Sequence, residues 1–273
     1  VLVIGSGLHK HLSAHGVEYP SGHKNGLTSW KDFLAELSLR RGLGHAEATE
    51  HSDPTSTWES MLLGSARLPS RNESSAAGHV SSLIEAATPP RNQALSSFGE
   101  ALGRRRFRDI VTLNFDPTLE RAIGAEESPV KPTRLTGSRP AQRHRLRVEA
   151  ENTRIWHPHG LARRGVPSRG FQLGFRKYAK SVAEVTRDIE SFRAWRRIWF
   201  EATGLKESTS GHQAFQEELR RVGRRGARWW EQLITSDVAF IGCSLDRAEV
   251  DLWLVLHARQ RQLAQFEKKP KAF

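Results

Sequence analysis

Four short apolar runs in this sequence each end in residues that can do chemistry. Val1-Leu2-Val3-Ile4 leads into Gly5-Ser6-Gly7, and Ile110-Val111-Thr112-Leu113 into Asn114-Phe115-Asp116. Thr153-Arg154-Ile155-Trp156 leads into His157-Pro158-His159-Gly160, and the run 237–241 into Gly242-Cys243-Ser244-Leu245-Asp246. Two glycines after a strand permit a tight turn and a close approach of backbone to a pyrophosphate. A plain strand–helix turn would use them equally well, and the dinucleotide pattern's third glycine position holds Lys10. Asn114 offers an amide at a strand tip. Asp116 precedes Pro117 and is either a ligand group or the cap of a helix over 118–123. His159 suits a general base, since imidazole titrates near about 6.5; a simple turn residue is the plain alternative. His157 reads first as a packing or surface histidine. Asp246 with Glu249 three residues later reads as a helix-capping pair. A metal site at the paired histidines would need a third ligand. His9, His11 and His15 match no standard spacing, and the single cysteine, Cys243, rules out a cysteine-based zinc site within one chain. No metal is expected.

These tips have to be positioned by the elements behind them. The four runs read as buried strands, and helical patterns separate them. One helix is expected after Ser29, with Trp30, Phe33, Leu34 and Leu37 on its apolar face and Gly42 at its end. Another follows Asn92, with Leu95, Phe98 and Leu102. A long pattern runs from Val182 to Trp199, a shorter one through Phe215, Leu219 and Val222, and a last one through Val250, Trp253, Leu254 and His257. Residues 44–79 and 124–150, poor in apolar side chains, read as loops. Strands alternating with helices imply an α/β fold: a parallel sheet with helices on both faces and helical insertions. Ligands bind such sheets at the carboxyl edge, where all four tips would meet. One domain over 1–273 is expected, with helical or loop insertions near 25–105 and 180–232. The opening inside a strand suggests a piece of a longer chain.

The 273 residues hold 42 lysines and arginines against 30 carboxylates, a net charge of +12. An anionic partner or substrate fits that balance. Arg193 to Trp199 and Arg228-Trp229-Trp230 interleave arginine with tryptophan. They read as a solvated helix face with tryptophan anchored in the core, or as a single-strand nucleic-acid surface. One cysteine excludes a disulfide framework and suits a reducing, cytoplasmic setting. No apolar stretch approaches the roughly 20 residues that span a bilayer, so no membrane partner is expected.

Taken together, the tips resemble the sirtuin family. Gly5-Ser6-Gly7 resembles its Gly-Ala-Gly turn, and Thr112-Leu113-Asn114-Phe115-Asp116 its Thr-x-Asn-x-Asp motif. His159-Gly160 resembles its His-Gly pair and Gly242-Cys243-Ser244-Leu245 its Gly-x-Ser-Leu motif. The protein deacetylases of the family carry four zinc-binding cysteines and a Gly-Ile-Pro-x-Phe-Arg segment, which this chain lacks. It is more similar to the sirtuin-like NAD hydrolases of bacterial antiphage defence. Gly174-Phe175-Arg176-Lys177-Tyr178 resembles a short segment of those proteins. The resemblance implies a Rossmann-like fold, with NAD as substrate and Asn114, His159 and Asp116 as the catalytic set. It also implies that Gly5, Ser6, Gly7, Thr112, Gly242, Cys243 and Ser244 line the dinucleotide. It further implies that homo-oligomerisation or an activating protein partner switches the activity on. The readings that compete with it are a non-catalytic module sensing NAD or ADP-ribose, and a basic nucleic-acid-binding scaffold.

Overall fold

The computed structural model describes residues 1–20, 73–105, 107–126, 128, 130–132, 146–150, 153–162, 175–206, 208–221, 228–245 and 249–263. It divides into two compact units. The first comprises Leu2–Tyr178 with Phe240–Ser244, and the second Val1, Ala179–Ala239 and Leu245–Phe273.

The sheet is formed by β1 (Leu2–Ile4), β2 (Asp109–Thr112), β3 (Val130–Pro132), β4 (Leu146–Ala150), β5 (Thr153–His157) and β6 (Ala239–Ile241). Their order is β3-β4-β5-β2-β1-β6. The last four in that order run parallel, with Ile4 opposite Thr112 and Val111 opposite Trp156. β4 joins β5, and β3 joins β4, in antiparallel fashion. Leu2, Val3, Ile4, Ile110 and Val111 are buried without alternation. A parallel strand covered on both faces requires such a continuous apolar run. The architecture is α/β and Rossmann-like.

Four helices of this unit are α1 (Gly7–Ala14), α2 (Glu73–Ala87), α3 (Gln93–Arg104) and α4 (Thr118–Ala122). The Asn92 side chain caps α3 by accepting the Leu95 N–H at 2.9 Å, as its sequence pattern suggests. Gly99 on α3 lies against α4 so closely that a Cβ there would sit 1.9 Å from the Ala122 carbonyl oxygen. Four residues along, Gly103 has open space around it. The same substitution should therefore have opposite signs at the two positions. Gly99→Ala forces the helices apart and should cost about 1–3 kcal/mol. Gly103→Ala should gain about 0.4–1 kcal/mol, because it narrows the unfolded ensemble. Urea unfolding of both variants measures this, and a shared sign would show that the helix contact does not set the effect.

Two stretches expected to be loops contain regular structure. The residues 146–150, Leu-Arg-Val-Glu-Ala, alternate with period two, and they form β4, with Val148 fully buried. An antiparallel edge needs apolar residues on one face only, so its composition stays polar. Similarly, α2 begins at Glu73 inside the stretch 44–79. Val80, Leu83, Ile84 and Ala87 form a buried apolar face on it. The helix expected after Ser29 lies outside the described residues, as do Asp246 and positions 222–227.

The second unit holds most of α5 (Phe175–Thr203) together with α6 (Thr209–Arg221), α7 (Trp229–Thr235) and α8 (Val250–Leu263). Its core is aromatic. Phe192, Phe200, Phe215, Trp229 and Trp230 are buried, and Trp195 and Trp199 pack at 4.9 and 5.2 Å from the Phe215 ring. Arg228 bonds Asp188 at 3.1 Å and lies over the Trp230 ring. Arg259 donates to the carbonyls of Leu233 and Ser236. Trp229 and Trp230, weighed in the sequence as stacking platforms, thus have their faces in the core. No helix among the described residues is long and apolar enough to cross a membrane.

Candidate active site

The strand order reverses at β1. The chain leaves β1 for β2 on one side, whereas β6, reached after β5, lies on its other side. Ligands of open α/β sheets occupy the crevice beyond such a reversal. Here the turns after β1 and β6 meet backbone to backbone. Gly5 N–H donates to the Ile241 carbonyl at 3.0 Å and Gly7 N–H to the Gly242 carbonyl at 2.9 Å. A Cβ on Gly5 would lie 2.6 Å from the Gly242 oxygen, and one on Gly7 2.7 Å from its Cα. Gly242 itself has φ +61°, a conformation open to glycine. The glycines are thus required by the crossing of two turns. The Gly5 and Gly7 N–H groups, expected to face a diphosphate, have protein acceptors instead. What the crossing exposes are Ser6 and Ser244. Cys243 Sγ stays half-buried, 3.7 Å from the Val3 carbonyl.

At the tip of β2, Thr112 is buried, and its hydroxyl accepts the Asn114 N–H at 3.1 Å. It shapes the turn. The Asn114 side-chain NH₂ donates to the Gly5 carbonyl at 3.2 Å, which orients the amide and leaves its Oδ1 without a donor among the described residues. His159 follows β5. Because Val111 pairs with Trp156, Asn114 and His159 each stand three residues past a matched pair on neighbouring parallel strands. Ala162 N–H donates to the Phe115 carbonyl at 2.6 Å, closing the two tips together. The His159 ring is nearly buried between Phe115 and Tyr178, at 6.2 and 6.0 Å between centroids. The structure therefore gathers Gly5, Asn114, Phe115 and His159 at one sheet edge.

Asp116 is both an acceptor in the turn before α4, whose N-cap is Pro117, and an ion-pair partner. Its Oδ1 accepts the Thr118 N–H at 3.0 Å, opening α4, and its Oδ2 lies 2.9 Å from His9 Nε2. The other ring nitrogen of His9 lies 3.0 Å from the Tyr19 hydroxyl. Burial alone would push the Asp116 carboxyl up, but the His9 charge and the Thr118 N–H more than offset it and hold it well below the usual range. Burial alone would lower His9, and the adjacent carboxylate outweighs that, raising it above its ordinary 6.5. Burial, then the Asp116 charge, raise Tyr19. Of the α1 histidines, only His9 joins this site. His11 and His15 lie on the exposed face, with His15 Nδ1–H on the His11 carbonyl.

A second acid–imidazole pair lies beneath. Glu120 on α4 and His157 at the end of β5 are fully buried, with Oε1 and Nε2 2.5 Å apart. His157 is therefore buried and packed, and the sequence pattern points neither to Glu120 as its partner nor to His9 as that of Asp116. The period-two and helical patterns place residues on faces; they do not say which polar residue on one element meets which on another.

No curated protein matches the chain. A family model described as SIR2-like domain matches residues 108–272, from the start of β2 through α8. Those residues include the Asn114 tip, the His159 tip and the Gly242 turn, and with more than half of its length matched, the chain belongs to the SIR2-like domain family.

Proposed function

We propose that this SIR2-like chain, whose family binds NAD, is an NAD hydrolase that splits the nicotinamide–ribose bond to give nicotinamide and ADP-ribose. The placement of Asn114 and His159 just beyond the ends of adjacent parallel strands, each three residues past a matched pair and beside the strand-order reversal, carries this reading. Breaking the bond builds positive charge on the ribose, while nicotinamide leaves neutral and takes the bonding electron pair on its nitrogen. A strong acid is not needed. Orientation of the ribose and of a water is. Asn114 Oδ1, steered by the bond from its NH₂ to Gly5, accepts from a ribose hydroxyl or from the water. His159 takes the proton that water loses as its oxygen bonds to the ribose carbon.

A carboxylate has about four lone-pair sites. Two on Asp116 are filled by Thr118 and His9, and the remainder can receive the carboxamide NH₂. Ser6, Gly242, Cys243 and Ser244 hold the diphosphate and adenosine ribose; Gly5, Gly7 and Thr112 shape the walls. The dinucleotide fits this edge, where two exposed serines stand over a glycine crossing too tight for any Cβ. In the cell the activity would deplete NAD in antiviral defence, in the cytoplasm, as a homo-oligomer or under an activating partner. Purified protein incubated with NAD, with and without candidate activators, should release nicotinamide and ADP-ribose in equal amounts. A cyclic product or base exchange would redirect the chemistry, and intact NAD under every condition would sink the proposal.

A further inference from the structure

The mechanism above leaves His9 and Tyr19 without a role, although His9 meets Asp116 and Tyr19 meets His9. His9 lies two residues past the Gly5–Gly7 turn, buried, with both ring nitrogens engaged: Nε2 on Asp116 Oδ2 at 2.9 Å and Nδ1 on the Tyr19 hydroxyl at 3.0 Å. The Tyr19 hydroxyl in turn faces the His9 carbonyl at 3.4 Å. A carboxylate can only accept, so Nε2 carries the hydrogen on the Asp116 side, and Nδ1 shares the second contact with the phenol. His9 thus donates from Nε2 to the Asp116 carboxylate, while Tyr19 holds the ring from its other nitrogen. The Tyr19 ring stands edge-on to the imidazole at 5.8 Å and limits its rotation. With Thr118 holding Oδ1 and His9 holding Oδ2, the carboxylate has one orientation.

We propose that His9, backed by Tyr19, is a positioning residue that fixes Asp116 as an oriented acceptor selecting the carboxamide of NAD over a carboxylate at the same place. This rests on the hydrolase reading. A site built to accept an N–H rejects an analogue that lacks it, and like charges placed face to face add to the rejection. When His9 is shortened, the carboxylate gains freedom to turn away and the rejection weakens. A merely structural His9 would change stability and rate for both substrates alike.

The test compares NAD with its nicotinic acid analogue, in which a carboxylate replaces the carboxamide. Wild type is expected to prefer NAD by at least about tenfold in kcat/KM. His9→Ala should lower that preference about tenfold. His9→Gln, which keeps a donor near the Nε2 position, should hold it within about threefold of wild type. Tyr19→Phe should fall between them, and it keeps the test open if His9→Ala fails to fold. A preference unchanged in His9→Ala, or lost equally in His9→Gln, would overturn the proposal. If wild type binds dinucleotides but cleaves neither, the hydrolase reading falls alone, because the ratio of the two Kd values by calorimetry reads His9 in the same way. Failure to bind either dinucleotide overturns both.

Discussion

Asn114→Ala and His159→Ala should each slow nicotinamide release by about 10²–10⁴-fold while leaving a folded protein. The folding half of this expectation follows from what each side chain holds. Asn114 contributes one half-buried hydrogen bond, to the Gly5 carbonyl, and losing a bond of that kind costs about 1 kcal/mol. The His159 ring packs against Phe115 and Tyr178, contacts worth about 0.5–1.5 kcal/mol beyond their area. Neither loss approaches the 5–15 kcal/mol of a typical domain. The catalytic half follows from the reaction. In the proposed reaction the leaving group is neutral, so the barrier falls through placement of ribose, water and proton acceptor, and each of these two residues would supply one. Their effects should not add in the double variant, since a base without an oriented water has little to act on. A stopped assay of nicotinamide release, with circular dichroism as the folding check, measures all three. Turnover retained in both single variants would remove the two residues from the mechanism.

Much of this edge is legible in the sequence because strand tips are local. An apolar run followed at once by Gly-Ser-Gly, or by Asn-Phe-Asp, fixes both the strand and the residues just beyond it, and the parallel sheet sets those tips side by side. Asn92 as a helix cap is legible for the same reason: donor and acceptor lie three residues apart. What escapes is pairing over long separations. His9 and Asp116 stand 107 residues apart and Glu120 and His157 37 apart; nothing in the local spacing links them. Asp116 does double duty: one oxygen accepts the Thr118 N–H in the turn before the helix, whose N-cap is Pro117, and the local pattern says nothing of the ion pair on the other. The glycines carry two readings at once. A turn that crosses a second turn and a turn that cradles a phosphate need the same residue for the same steric reason, and only the position of Gly242 against Gly7 separates the two.

Glu120→Ala should destabilise the protein by about 3–5 kcal/mol, and His157→Ala by a similar amount. Both side chains are wholly sequestered from water, and Glu120 Oε2 and His157 Nδ1 have no hydrogen-bond partner among the described residues. The pair therefore depends on its single mutual contact. Removing one member strands a polar group where neither water nor a second partner reaches it, and that desolvation, rather than the lost attraction, sets the size of the effect. The same logic gives the opposite result for a double replacement. Glu120→Met with His157→Leu removes both polar groups and fills the space, and should recover to within about 1–2 kcal/mol of wild type, since a buried pair is weak against apolar side chains of similar volume. Urea unfolding of the three variants decides between the accounts. A double variant no more stable than either single one would mean that the pair holds the fold by its own attraction. The distinction bears on the site above, because Asp116 accepts from the first residue of α4 and His157 stands two residues before His159. If the apolar pair restores stability but leaves nicotinamide release slow, the buried acid and imidazole serve to hold the two tips in register, and stability and catalysis part company at this one contact.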